Sequence, residues 1–240
     1  MRYNAPSREA VDPAVFGTLP LADWCGDYAA LLQGAAWPSI DQLNEYLPPA
    51  AIHRFVAQTP TLLADGLHYE QRIAERSQIA TREGNWHDLL NALVWLRYPA
   101  LKQTLNRRQI GEIARMGPKV RSRPQYALTH FDEAGAIVLL RDPALLEAWD
   151  AHDWHGLFWH RRQAWADGSI ELVLFGHALL ELALNPSKLL VGKALVFRSA
   201  DADMSAVLTR CTALVASGEL VGDPLELRPL PLSGLPGWRD

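Results

Sequence analysis

Apolar positions fall into helical stripes over much of the chain and into short compact runs over the rest. Trp86, Leu89, Leu90, Leu93, Val94 and Leu96 recur at the spacing of one helix face. Asn85 supplies an N-cap, Asp88 sits near the positive end of the helix dipole, and Pro99 ends the helix at the residue before it. Pro99 then suits the first turn of a second helix over about 100–116, stopped by Gly117-Pro118. Nearer the start, Ser39 and Gln42 stand at capping-box spacing and open a helix through Leu43 and Leu47 that stops at Pro48-Pro49. A further short helix is predicted over 50–56. Later helices run from Pro143 toward Trp149, from His177 to about Leu184, and from Met204 to Ala216 before Gly218.

Strand patterns are shorter. Residues 126–131 and 136–140 flank Asp132-Glu133-Ala134-Gly135, which reads as a hairpin over about 126–140 with two carboxylates at its tip. Further strands are expected at about 170–175 and 193–197, with the run 170–197 as one parallel strand–helix–strand crossover. The fold class is therefore α+β: a mostly helical single domain over 1–240 with a small sheet. Its N-terminal part, about 1–60, is helical, and a Pro/Gly-rich tail from about 223 to 240 is expected as an extended strap on the surface.

Composition changes little. With 240 residues, 49% apolar and a net charge of −4, the chain is an ordinary globular one and disorder is excluded. Cys25 and Cys211 form no CxxC and no disulfide framework, which suits a reducing cytoplasm. The first residues carry no apolar signal core. The most apolar stretch, 170–184, is interrupted by Glu171, Gly176, His177 and Glu181, so no membrane span is expected.

Charge is more informative. Between Arg97 and Arg123 there are eight basic residues and a single acid, Glu112, in a chain that is acidic overall. Such a segment either binds an anion, nucleic acid or an acidic partner, or forms a solvated face paired with the chain's own acids. Arg161-Arg162 raises the same question.

Six of the eight histidines lie between His87 and His177, interleaved with six of the nine tryptophans. Imidazoles among large apolar rings furnish a desolvated pocket, and equally an aromatic core with hydrogen-bonded histidines. His87 and Asn91 are four apart on one helix, with Asp88 beside them, and His177 and Glu181 repeat that spacing on another. Two helices that each present an imidazole and an oxygen assemble a mixed N/O site of the kind that Zn, Mn or Fe accepts. Asp132 is the candidate base, provided its pocket lifts its pKa toward neutrality. There is no HExxH, GxSxG or GxGxxG, and Gly192-Lys193 lacks the rest of a P-loop.

The stretch Thr81-Arg82-Glu83-Gly84-Asn85-Trp86-His87-Asp88-Leu89-Leu90-Asn91-Ala92-Leu93-Val94-Trp95-Leu96 continues through Pro99, Lys102 and Asn106. With Leu128-Thr129-His130-Phe131-Asp132-Glu133-Ala134-Gly135, Leu157-Phe158-Trp159, Arg161-Arg162, Phe175-Gly176-His177-Ala178-Leu179-Leu180-Glu181 and Leu235-Pro236-Gly237-Trp238, it resembles a proteobacterial family known as domain of unknown function 3025. The resemblance implies a one-domain protein and carries no activity. It marks His87, Asp88, Asn91, Asp132, His177 and Glu181 as lying in signature segments. The adjacent His87-Asp88 is similar, more loosely, to the pair in HD-type metal phosphohydrolases, which would also need His53 or His68 and Asp150 or Asp153; the strands argue against that all-helical fold.

Three readings follow. The first is a metal-assisted hydrolase of an anionic or phosphorylated substrate. Its metal ligands would be His87, Asn91, His177 and Glu181, its catalytic residues Asp132 and Asp88, and Lys102, Arg161 and Arg162 would bind substrate. The second is a non-catalytic module that grips nucleic acid or an acidic partner through 97–123. The third is a buried hydrogen-bond network with a structural role only.

Overall fold

The computed structural model describes residues 3–117 and 120–238, so Lys119 of the basic segment and the last two residues of the tail lie outside it. The N-terminal part holds α1 (Ala22–Gln33) and α2 (Ile40–Glu45), the latter opened by the Ser39–Gln42 capping box. The predicted helix over 50–56 is instead β1 (Arg54–Ala57), whose Phe55 backbone is bonded on both sides by the Asn44 amide. After α3 (Pro60–Leu63) and α4 (Tyr69–Arg76), β2 (Gln78–Thr81) pairs with β1 in parallel.

Next come α5 (Trp86–Arg97) and α6 (Pro99–Met116), bounded by Asn85, Pro99 and Gly117 as the sequence expects. The hairpin over 126–140 does not form. Residues Arg123–Ala134 are a helix, α7, which leads directly into β3 (Gly135–Leu140). A second capping box, Ser122 with Gln125, and Pro124 in the first turn commit the segment to a helix despite its alternating look.

The main sheet follows. After α8 (Pro143–Asp150), a π-helical turn at Gly156–His160 and α9 (Arg162–Ala166), β4 (Ile170–Leu174) returns antiparallel to β3. Then α10 (His177–Ala183) leads to β5 (Val191–Arg198), and α11 (Met204–Ser217) closes at Gly218 in the left-handed region. The sheet order is β4-β3-β5-β6, where β6 is Arg228–Pro231. The parallel pair is β3 with β5, so the expected crossover from 170 to 197 is corrected: β3 lies between β4 and β5, which do not pair. The tail is likewise no surface strap, because β6 pairs with β5 as an edge strand and buries Leu230. Its prolines are tolerated there because an edge strand bonds on one side only.

The architecture is α+β and mostly helical. Strand β3 is the centre of the core: Ala136 to Leu140 are all fully buried, which explains a continuous apolar run in place of alternation.

Candidate metal centre

One end of β3 positions the site. Gly135 begins β3 straight after α7, and Gly176 links β4 to α10. The backbone N–H groups of Phe175 and Gly176 donate to Gly135 O at 2.9 and 2.8 Å. A Cβ on Gly176 would lie 2.5 Å from Ala134 Cα, so only glycine lets the two junctions meet this closely. The last turn of α7 and the first turn of α10 are thereby pressed together, and α5 packs beside α10. The Asn85 side chain accepts the Asp88 N–H at 3.0 Å and fixes the start of α5, which places His87.

The two imidazoles meet. His87 Nε2 and His177 Nε2 are 3.1 Å apart, with ring planes at 73°. Glu133 Oε2 lies 3.7 Å from His177 Nε2 and 4.0 Å from His87 Nε2. Two ligands at ~2.1 Å from a tetrahedral zinc are about 3.4 Å apart, so this triangle has the size of one face of a coordination shell. His87, Glu133 and His177 are the one group of such residues among those described that could hold a metal ion.

Tautomers sharpen the point. Glu181 Oε2 stands 2.9 Å from His87 Nδ1, which favours a proton on that nitrogen and turns Nε2 toward His177. This hydrogen bond, opposed by burial, raises the His87 pKa. His177 Nδ1 has no hydrogen-bond partner, and Asp132 Oδ2 stands 3.9 Å from it. At 3.1 Å the two Nε2 atoms share one proton in a hydrogen bond or, with that proton gone, one cation. Burial pushes the His177 pKa down to about 3, so this ring stays neutral, as a ligand must.

Around the pair runs a second layer. Lys102 on α6 donates to Asp132 Oδ1 at 2.6 Å and to Asn91 Oδ1 at 2.8 Å, and Asn91 donates to the Tyr69 hydroxyl at 2.8 Å. Burial would raise the Asp132 carboxyl, but the Lys102 ammonium beside it outweighs burial and holds it below the usual carboxylate range. That is the reverse of the lift a general base there would need. Burial instead raises Glu133, against the pull of His87. Glu70 on α4 is pushed up to about 7 by burial, although Asn106 donates to it at 2.6 Å. These groups line a cavity of about 660 Å³, whose wall also carries Arg82, Arg121 and His68.

A family model described as "Protein of unknown function (DUF3025)" matches residues 53–240. The chain belongs to this family. No curated protein and no solved structure matches it. The DUF3025 match takes in every residue of the metal-sized triangle, and α1 and α2 precede it.

The positions of the residues singled out in the sequence divide clearly. His87, His177, Glu181 and Asp132 converge. Asp88 is turned away onto Arg82, accepting from its backbone N–H, Nε and Nη2 at 2.7 to 2.9 Å. Asn91 is spent on Lys102 and Tyr69, and Glu181 meets the outer nitrogen of His87. Arg161 and Arg162 are exposed and do not line the cavity, with Arg162 lying over Trp159 instead. Asp150 pairs with Arg228 and Asp153 caps Gly156, so the HD-type set is not assembled. Of the basic segment, Arg97 pairs with Asp27, Arg115 with Glu112 and Arg123 with Asp223, while Arg108 binds the carbonyls of Val215 and Leu220. Glu133 and Glu70 were not singled out from sequence as ligand or base. The Ser122–Gln125 capping box was the signal that puts Glu133 on a helix beside β3. Nothing local marks Glu70. No helix among the described residues is long and apolar enough to cross a membrane.

Proposed function

We propose that the protein binds a divalent cation, zinc, manganese or iron, through His87 Nε2, His177 Nε2 and a Glu133 oxygen, and hydrolyses an anionic substrate there. The observation that carries this reading is the 3.1 Å approach of two imidazole nitrogens whose other nitrogens both face carboxylates. A cation so held would polarise a phosphoryl or carbonyl oxygen and bring the pKa of a coordinated water to about 7. Glu181 orients His87, as the outer carboxylate of a carboxylate–histidine–metal chain does. Lys102 keeps Asp132 ionised next to His177, and Glu70 is the carboxyl on the cavity wall with an affinity suited to taking up a proton near neutrality. On the same wall Arg82 is paired with Asp88 and Lys102 with Asp132, and Arg121, without a side-chain partner among the described residues, favours a negatively charged substrate. Arg161 and Arg162 have no part in this version. We also take the chain as one domain, a reading supported by one buried cluster that runs from Val11 to Leu235, and as cytoplasmic, which the free Cys25 and Cys211 suit.

Elemental analysis of protein purified without a histidine tag, beside assays on phosphate mono- and diesters, tests this. Near-stoichiometric metal is expected, lost in both His87→Ala and His177→Ala while the circular dichroism spectrum is kept. Metal-free wild-type protein that also fails to take up added zinc would overturn the metal centre. A metal-loaded protein without hydrolysis of any ester would overturn the activity alone.

A further inference from the structure

A second cavity, of about 680 Å³, opens at the opposite end of the sheet from the metal-sized triangle. The triangle sits before Gly135, at the start of β3. The second cavity is lined by Arg141 and Arg198, where β3 and β5 end in register at Leu140 and Arg198. Six residues of strand separate the two, about 16 Å at ~3.3 Å per residue. The carboxyl ends of parallel strands are where open sheets of mixed architecture receive ligands.

Its lining is one-sided in charge. Arg141, Arg198, Arg210 and Arg228 face a single carboxylate, Glu226, in a chain that is acidic overall. That carboxylate is already engaged by the backbone N–H groups of Val221, Gly222 and Asp223 at 2.7 to 3.1 Å. Arg141 is spent on the Glu171 carboxylate and on the carbonyls of Gly168, Ala200 and Ala202, and Arg228 on Asp150. Arg198 and Arg210 have no hydrogen bond or ion pair among the described residues, so two guanidinium forks remain available. Leu195, Phe197 and Leu214 supply an apolar wall beside them.

We propose that this cavity is a second binding site, distinct from the metal centre, for an organic monophosphate that carries an apolar group. Two free forks match a dianion bidentately, and the apolar wall takes the organic body. The proposal is independent of the hydrolase reading.

Calorimetry on the full chain with phenyl phosphate tests it. Phenyl phosphate is expected to bind at least tenfold more tightly than inorganic phosphate, which lacks the ring, and than phenylacetate, which has one charge. The Arg198→Gln/Arg210→Gln double variant should lose at least tenfold in affinity. Because both side chains are exposed and unpaired, its melting temperature should stay at the wild-type value. Arg161→Gln, exposed and lining neither cavity, should leave phenyl phosphate binding unchanged. No binding up to about 10 mM, undiminished binding in the double variant, equal binding of phenylacetate, or the same loss in Arg161→Gln would each overturn the proposal.

Discussion

Lys102 reaches Asp132 at 2.6 Å from a side chain that is only 4% exposed, so an ammonium has been taken out of water to hold one carboxylate. Its other donor contact, Asn91, is neutral and supplies no counter-charge. Removing the cation strands Asp132 beside Glu133 and Glu70, all on one cavity wall. Lys102→Met is therefore expected to cost about 3 kcal/mol, as loss of one partner of a buried pair does. In a chain of this size that is a fall of roughly 6–12 °C in melting temperature. Lys102→Met combined with Asp132→Asn should recover at least half of the loss, because no lone charge is left. Urea melts of the wild type, Lys102→Met, Asp132→Asn and the double variant give the coupling, and strict additivity would show that the pair does not act as one unit.

Glu70 makes stability depend on pH in an unusual direction. Burial lifts its carboxyl from an ordinary 4.5 to about 7. The unfolded chain therefore releases this proton at lower pH than the folded one does. The contribution is present in full below about 4.5 and is lost as pH rises toward about 7. The amount is on the order of 2–3 kcal/mol. Glu70→Gln keeps an acceptor for Asn106 and removes the titration. The variant should gain on wild type by this amount between about pH 5 and about pH 8 in denaturant unfolding. A difference that does not move with pH would mean that Glu70 ionises as an exposed carboxyl does.

Glu181 tests orientation apart from ligation. It bonds to the outer nitrogen of His87, away from Glu133 and His177. Glu181→Gln retains an acceptor but drops the charge, and a loss of 10- to 100-fold in zinc affinity is expected, in line with outer-layer partners elsewhere. The metal-free variant should melt with the wild type, since His87 and Glu181 are both partly exposed. Chelator competition reads the affinity. An unchanged value would remove Glu181 from the centre.

The parts of this arrangement that were legible in the sequence are those with local causes. Asn85 and Pro99 bound α5 because a cap and a missing N–H act within one turn, and the four-residue spacing of His87 with Asn91 and of His177 with Glu181 put each pair on one face. That His87 and His177 would meet was a wager on tertiary geometry. It rests on the Gly135–Gly176 contact, which no local pattern announces. The alternating Tyr126 to Phe131 run misled because burial on one side of a short helix resembles a strand over six residues, and this hid Glu133 at an imagined turn tip. Glu70 and Tyr69 enter only because α4 packs on α6, a contact between segments some thirty residues apart.

Gly176 gives the sharpest check on how the centre is built. A methyl group there would meet Ala134 Cα and Gly135 N at 2.5 Å, both backbone atoms with no rotamer to yield. Gly176→Ala must push α10 off the α7–β3 junction, at a cost of about 1–3 kcal/mol. His177 is the next residue and Glu133 lies two before Gly135, so the same displacement widens the 3.7 Å gap between them. The variant should lose several degrees in melting temperature and, at a temperature where it is still folded, most of its zinc affinity. Gly17→Ala, where nothing lies within 4 Å of the added carbon, serves as the control and should change neither. A Gly176→Ala protein that melts lower yet binds zinc as tightly as wild type would show that the junction supports the fold without setting the distance between His177 and Glu133. The centre would then have to be held by α5 and α10 alone.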